Sequence, residues 1–131
     1  MPDHPSTLVL LVEDEFLIQD LLESTLHDAG YAVRAVTDGT DGMKLVESVA
    51  ANALGLVTDV NLGPGPSGWD IARRGRELNA ALLVVYVTGD SEHDYAAHGL
   101  PHSLLIRKPF VGSEVVVALA TLKAQASSAP G

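Results

Sequence analysis

The chain has 131 residues, no cysteine, 47% hydrophobic residues and a formal net charge of −9. That length holds one domain with one core, the apolar fraction excludes a disordered chain, and no stretch approaches the roughly 18 consecutive apolar residues of a membrane span. Absent cysteine excludes disulfide and thiolate chemistry and fits a reducing cytoplasm, while the acidic balance disfavours nucleic acid as a direct partner, because phosphate contacts need clustered Lys and Arg.

The opening MPDHPST lacks the basic stretch of a secretory signal. Residues 7–12 (TLVLLV) form a continuous apolar run, as expected of a strand buried on both faces. A helical stretch follows, with Phe16, Leu17, Leu21, Leu22 and Leu26 at helix-like intervals, and Gly30 is placed to end it in a left-handed conformation. Residues 31–36 (YAVRAV) alternate like a strand, 41–51 read as a second helix, 54–58 as a third strand and 69–78 as a third helix. Residues 82–87 (LLVVYV) repeat the buried-strand signature, 91–98 make a weak, polar helix, and 103–106 a short last strand. A final helix spans 113–124, with Ser113 as its expected N-cap and with Val115, Val116 and Leu119 on its core face. Residues 1–6 and 125–131 (QASSAPG) are expected to be flexible ends, leaving 7–124 as the domain.

Five strands alternating with five helices imply right-handed crossovers and an open parallel sheet covered on both faces. Ligands of such sheets gather where the strands end, and the residues there are chemically distinctive. Glu13, Asp14 and Glu15 follow the first strand, Asp59 closes the third, Thr88 and Gly89 follow the fourth, and Lys108-Pro109 follow the fifth. Gathered carboxylates repel one another unless a cation sits between them, and an oxygen-only set without His or Cys suits Mg²⁺. Asp14 and Asp59 can each give the metal one oxygen, leaving the other oxygen of Asp59 as a nucleophile towards a phosphoryl donor. Lys108, the Thr88 hydroxyl and nearby N–H groups would neutralise the transferred oxygens, with Gly89 keeping the approach open.

The motifs LVEDE (Glu13, Asp14), VTDVN (Asp59), YVTGD (Thr88) and RKPF (Lys108, Pro109) resemble, in that order, those of a receiver domain, the phosphoacceptor module of two-component response regulators. The resemblance covers about residues 7–123 and implies a flavodoxin-like (βα)5 three-layer sandwich with a five-stranded parallel sheet of order 2-1-3-4-5. It implies phosphorylation of Asp59 with Mg²⁺ held by Asp14, Asp59 and the main-chain carbonyl of Asn61, with Glu13 acting through water. It also implies Thr88 as the switch hydroxyl, a cis Lys108-Pro109 peptide, and Asn61 and Asp90 as tuners of acyl-phosphate hydrolysis. The domain would thus catalyse its own phosphorylation and dephosphorylation. The implied partners are a histidine kinase or histidine phosphotransfer protein and a downstream protein target, with a dimer possible through the fourth helix, fifth strand and fifth helix. No output domain is visible; a stand-alone protein and a domain of a larger regulator both remain open.

Two positions depart from the family pattern. Leu105 stands where many receivers carry an aromatic, and Tyr86 is the nearby aromatic instead; a mostly single-domain subset shares this aromatic-x-Thr-Gly run. The loop after Asp59 is about one residue longer, with Gly63 and Gly68 four and nine residues on. Gly63, Gly65 and Gly68 also fit the G-x-G-x-x-G spacing of dinucleotide binders, but Pro64 and Pro66 remove N–H donors and Asp59 would repel pyrophosphate. A receiver-like interaction module not regulated by phosphorylation is the other alternative. Alone, Glu15 reads as a helix N-terminal charge and Trp69 as a packing residue.

Overall fold

The structure, a computed structural model, describes residues 6–90 and 92–128. Its strands are β1 (Leu8–Val12), β2 (Ala32–Val36), β3 (Gly55–Asp59), β4 (Leu83–Thr88) and β5 (Ser103–Arg107). Between and after them come α1 (Phe16–Asp28), α2 (Gly39–Val49), α3 (Gly68–Leu78), the single turn α4 (Tyr95–His98) and α5 (Gly112–Ser128). All pairings are parallel and the strand order is β2-β1-β3-β4-β5, as the resemblance implies. This is the flavodoxin-like three-layer α/β fold.

Side chains in a strand alternate between faces, and here the alternation divides the core in two. Leu10, Val12, Leu56, Val84 and Tyr86 pack against Leu45 and Val46 of α2 and Trp69, Ile71 and Ala72 of α3. Val9, Leu11, Val57, Val85 and Val87 pack on the other face against Leu22 and Leu26 of α1 and Val115, Ala118 and Leu119 of α5. The central strands are therefore apolar at nearly every position, because a strand covered on both faces has no side to give to water.

Several boundaries differ from the sequence reading. In α1 only Leu22 and Leu26 are buried; Phe16, Leu17 and Leu21 are 70%, 80% and 46% exposed. At about 100° per residue, those three lie roughly 100° or more around the helix from Leu22, so apolar character alone overstated the buried stripe. α2 begins at Gly39, because Asp38 caps it by accepting the Asp41 N–H (2.8 Å), and residues 50–52 leave it as a 3₁₀ turn. The polar stretch read as a helix over 91–98 is a 3₁₀ turn at Glu92–Asp94 followed by α4, with no buried residue in α4 to extend it; Ser91 lies outside the described residues. Ser113 sits inside α5 rather than capping it. α5 runs on through Ser128, so residues 125–128 are helical and not the loose tail expected. Residues 1–5 and 129–131, assigned to the flexible ends, lie outside the described residues.

The start of α3 matters most for the site, since it follows the loop after Asp59. Ser67 and Asp70 form a reciprocal capping box: the Ser67 hydroxyl accepts the Asp70 N–H (3.2 Å) and the Asp70 carboxylate accepts the Ser67 N–H (3.0 Å). That N–H, ahead of the Ser67 hydroxyl and Arg73, holds the Asp70 carboxyl below its ordinary range. Ser67→Ala is expected to lower stability by about 1 kcal/mol in urea denaturation. A group with a depressed folded pKa stabilises above its ordinary range and loses that effect as pH falls. The deficit of Asp70→Asn against wild type should therefore be largest at neutral pH and shrink in acid.

Candidate functional site

Because every strand is parallel, all carboxyl ends reach the same edge of the sheet. β1 is followed by Glu13, whose N–H donates to the Val36 carbonyl (3.2 Å), and β3 and β4 end on Asp59 and Thr88. Beyond β5, the Lys108 N–H donates to the Thr88 carbonyl (2.7 Å) and the Lys108-Pro109 peptide is cis. Residues far apart in sequence thus meet in one cleft of about 710 Å³, with Asp14, Asp59, Asn61, Gly89, Asp90 and Lys108 in its lining.

Lys108 organises the cleft. Its Nζ donates to Asp59 Oδ2 (2.9 Å), Glu15 Oε1 (3.0 Å) and Glu13 Oε2 (3.2 Å), so one ammonium spends its three donors on three carboxylates. Glu13 is fully buried and Asp59 is 4% exposed. Carboxylate oxygens of Glu13, Asp14, Glu15 and Asp59 all lie within 4.8 Å of one another. Four acids thus face one fixed base. Burial, reinforced by the neighbouring Asp59 charge and opposed by Lys108, pushes Glu13 up to about 7. Burial likewise raises Asp59, against the pull of its Lys108 hydrogen bond. For Lys108 burial acts downwards, but the hydrogen bonds with Asp59 and Glu15 outweigh it and hold the ammonium above its ordinary range.

One buried oxygen has no partner. Glu13 Oε2 accepts the Glu15 N–H (3.0 Å) and Lys108, whereas Glu13 Oε1 is buried without a hydrogen bond. An orphaned buried carboxylate oxygen costs stability, and in a set of four clustered acids it marks an unfilled coordination demand. The donors are all oxygen, so the residues present fit a hard divalent cation such as Mg²⁺.

The remaining residues named from the sequence divide into two groups. Asn61 donates its main-chain N–H to Asp59 Oδ1 (3.3 Å) and its side-chain amide to Asp90 Oδ1 (3.0 Å), while the Asp90 N–H donates to Thr88 Oγ1 (3.3 Å). A Cβ on Gly89 would meet nothing within 4 Å, so the approach beside Thr88 is open. Tyr86 and Leu105 are not in the cleft. Tyr86 is fully buried, with its ring 4.6 Å from Trp69 and 6.0 Å from Tyr95, and its hydroxyl accepts the Leu100 N–H (3.3 Å). Leu105 stands beside it across the β4–β5 pairing, half-buried in the same cluster.

Sequence reasoning undervalued two residues. Glu15 occupies the N-cap position of α1 yet makes no side-chain cap; it reaches Lys108 instead. His93 also lines the cleft, and nothing in its polar neighbourhood signals this. The glycines after Asp59 serve packing. Gly63 (φ 78°) and Gly65 (φ 96°) take left-handed turns. A Cβ on Gly68 would collide with the Asp59 carbonyl, and one on Gly39 with the Pro66 carbonyl. The longer loop is therefore folded down onto the start of α2.

Comparison with known proteins agrees with this geometry. Residues 9–120 match the response regulator receiver domain family. The transcriptional regulatory protein HprR of Escherichia coli is 32% identical over 119 residues, which are 89% of this chain and 50% of that protein. The uncharacterized transcriptional regulatory protein YbdJ of Bacillus subtilis is 30% identical over 92 residues, 70% of this chain and 39% of its own. The chain spans about half the length or less of these curated relatives. The crystal structure of a response regulator receiver protein from Sinorhizobium medicae superposes with a TM-score of 0.84 at 35% identity, covering 89% of this chain and 94% of that one. The receiver domain of the sensor histidine kinase PA1611 of Pseudomonas aeruginosa, solved with a magnesium ion in its active-site cleft, shares the fold (TM-score 0.75, 23% identity, 91% and 98% covered). With its parallel sheet, its acidic edge and its lysine, the chain belongs to the response regulator receiver domain family of two-component signalling.

Proposed function

We propose that the chain accepts a phosphoryl group on Asp59 from a phosphohistidine of a histidine kinase or histidine phosphotransfer protein, and that this changes its contacts with a downstream protein. The observation that carries the reading is Lys108 bonded to a nearly buried Asp59 within a cluster of four carboxylates. An oxygen of Asp59 attacks phosphorus, the P–N bond breaks, and its electron pair stays on the donor imidazole. Lys108 moves from carboxylate to phosphoryl oxygen, and the Thr88 hydroxyl donates to a second one. Asp14, Asp59 and the Asn61 carbonyl would hold Mg²⁺, with Glu13 acting through water. Bound there, the ion neutralises part of the charge that the transferred group brings into the cleft.

Asn61 and Asp90, joined by a hydrogen bond across the cleft mouth, govern water access to the acyl phosphate. The phosphoryl group adds close to two negative charges, and the response of Thr88 and Lys108 reaches the surface formed by α4, β5 and α5. This surface is our candidate for the downstream partner or a second copy of the chain. The usual aromatic at position 105 being Leu, the buried Tyr86 takes its place in this response. The protein donor is placed on α1: Phe16, Leu17 and Leu21 are exposed apolar residues directly after Asp14 and Glu15, beside the route to Asp59.

Incubation with acetyl phosphate and Mg²⁺ is expected to add one phosphate by intact-mass spectrometry, and Asp59→Asn to abolish it; equal labelling of that variant would refute the assignment. Leu17→Asp should slow transfer from a cognate phosphohistidine protein by about tenfold or more while leaving acetyl-phosphate labelling unchanged.

The raised pKa of Glu13 supplies a pH test. Without metal, the folded chain binds the Glu13 proton better than the unfolded chain between the ordinary value of 4.5 and about 7. Stability in EDTA should therefore fall as pH rises through that window. Mg²⁺ favours the charged form, so its affinity should rise from about pH 6 to about pH 8, with proton release on binding. Calorimetry in two buffers of different ionisation enthalpy measures both, and a pH-independent affinity would count against Glu13 acting on the metal through water.

A further inference from the structure

At the sheet edge opposite the carboxylate cleft lies a half-enclosed pocket of about 250 Å³. It sits where the end of α3, the turn into β4, the turn before β5 and the last turns of α5 meet. Leu82, Leu83, Leu122 and Ala126 give it an apolar wall, and Arg76 gives it a cation. The guanidinium is fixed by three main-chain carbonyls: Nε donates to Leu82 (3.0 Å), one terminal nitrogen to Pro101 (2.8 Å) and the other to His102 (3.2 Å). His102 is the only non-glycine residue with positive φ (56°) among the described residues, and this costly backbone conformation accompanies a carbonyl turned towards Arg76.

Three bonds leave two of the five guanidinium N–H groups without a partner among the described residues. The chain has 17 acidic residues against 8 basic ones, and Arg73, Arg74 and Lys108 all hold carboxylates at ion-pair distance. Arg76 has none among the described residues; Arg34, Lys44 and Lys123 also show none there, but they are exposed to water whereas Arg76 is half-buried. Burial pushes its pKa down, only partly opposed by Tyr86. A half-buried, pre-oriented cation beside an apolar wall is a site in want of an anion that also carries apolar surface.

We propose that this pocket binds a small monocarboxylate with a flat apolar body, of which an aromatic carboxylate is the simplest. The carboxylate takes the two free N–H groups of Arg76, and the ring lies against Leu83, Leu122 and Ala126. Inorganic phosphate would leave the apolar wall wet and find only two donors. The site is separate from Asp59 and does not depend on the phosphoacceptor reading.

Titration of ¹⁵N-labelled full chain with sodium benzoate, without Mg²⁺, tests it. Saturable shifts are expected at the amides of Leu82, Leu83, His102, Gln125 and Ala126, with none at Asp14, Asp59 or Lys108. Benzamide and acetate should each bind at least about tenfold more weakly, one lacking the charge and the other the apolar body. Arg76→Gln should abolish the shifts. Because Arg76 also staples α3 to the turn before β5, Ala126→Trp, which fills the pocket and keeps Arg76, serves as a second variant with the same expectation. No shift with wild type at the highest benzoate concentration it tolerates, equal binding of benzamide or acetate, or shifts that persist in both variants would overturn the proposal.

Discussion

Four carboxylates are held within 4.8 Å of one another at the end of a parallel sheet, with a single lysine among them. At that spacing like charges repel strongly in a partly dehydrated cleft, and Lys108 satisfies three of the acids by direct hydrogen bonds while leaving Glu13 Oε1 bare. The arrangement is therefore incomplete in itself: it carries more negative charge than its own cation neutralises. Its donors are all oxygen and suit a hard cation. Leaving Glu13 Oε1 without a partner gives up stability locally.

The fold makes that concession possible. A sheet covered on both faces buries Val9, Leu11, Val57, Val85 and Val87 on one side and Leu10, Val12, Leu56, Val84 and Tyr86 on the other, so the strands are fixed independently of what stands at their ends. Parallel pairing then brings Glu13, Asp59, Thr88 and Lys108 to one edge without any of them contributing to the core. The glycine-rich loop after Asp59 follows the same logic. Gly68 lets α3 start hard against the Asp59 carbonyl and Gly39 admits the Pro66 carbonyl, and the capping box at Ser67 holds the helix start in that position.

The face of β4 that Thr88 shares carries a second arrangement. Tyr86 sits between Trp69 and Tyr95, and the Tyr95 hydroxyl donates to the Ser103 carbonyl (2.8 Å). The short α4 is thus tied to the sheet through two phenols and an indole, in place of any aromatic at position 105. Any rearrangement around Thr88 meets this cluster two residues away along the same strand.

Much of this was legible in the sequence, and the limits are physical. Five apolar strands, their alternation with helices and the acidic, hydroxyl and basic residues at their ends follow from local pattern, because period-two burial and parallel crossovers leave few other solutions. The motifs around Asp14, Asp59, Thr88 and Lys108 pointed to the family on their own. Local pattern could not say which apolar residues of α1 face water, since Phe16, Leu17 and Leu21 are as apolar as the buried Leu22 and Leu26 and only the docking angle separates them. It could not place Glu15 on Lys108, put His93 in the cleft or leave Glu13 Oε1 without a partner, because those facts depend on loops from different strands meeting in space. Pro64, Pro66 and Asp59 already argued in the sequence against a cofactor fingerprint in Gly63, Gly65 and Gly68, but local pattern could not show that the loop packs onto the start of α2. Sequence determined the sheet and the identity of the chemical groups, through periodicity and residue type. Tertiary structure decided which groups share a charge and which surface is left open, because both are set by distances between segments that have no local signal.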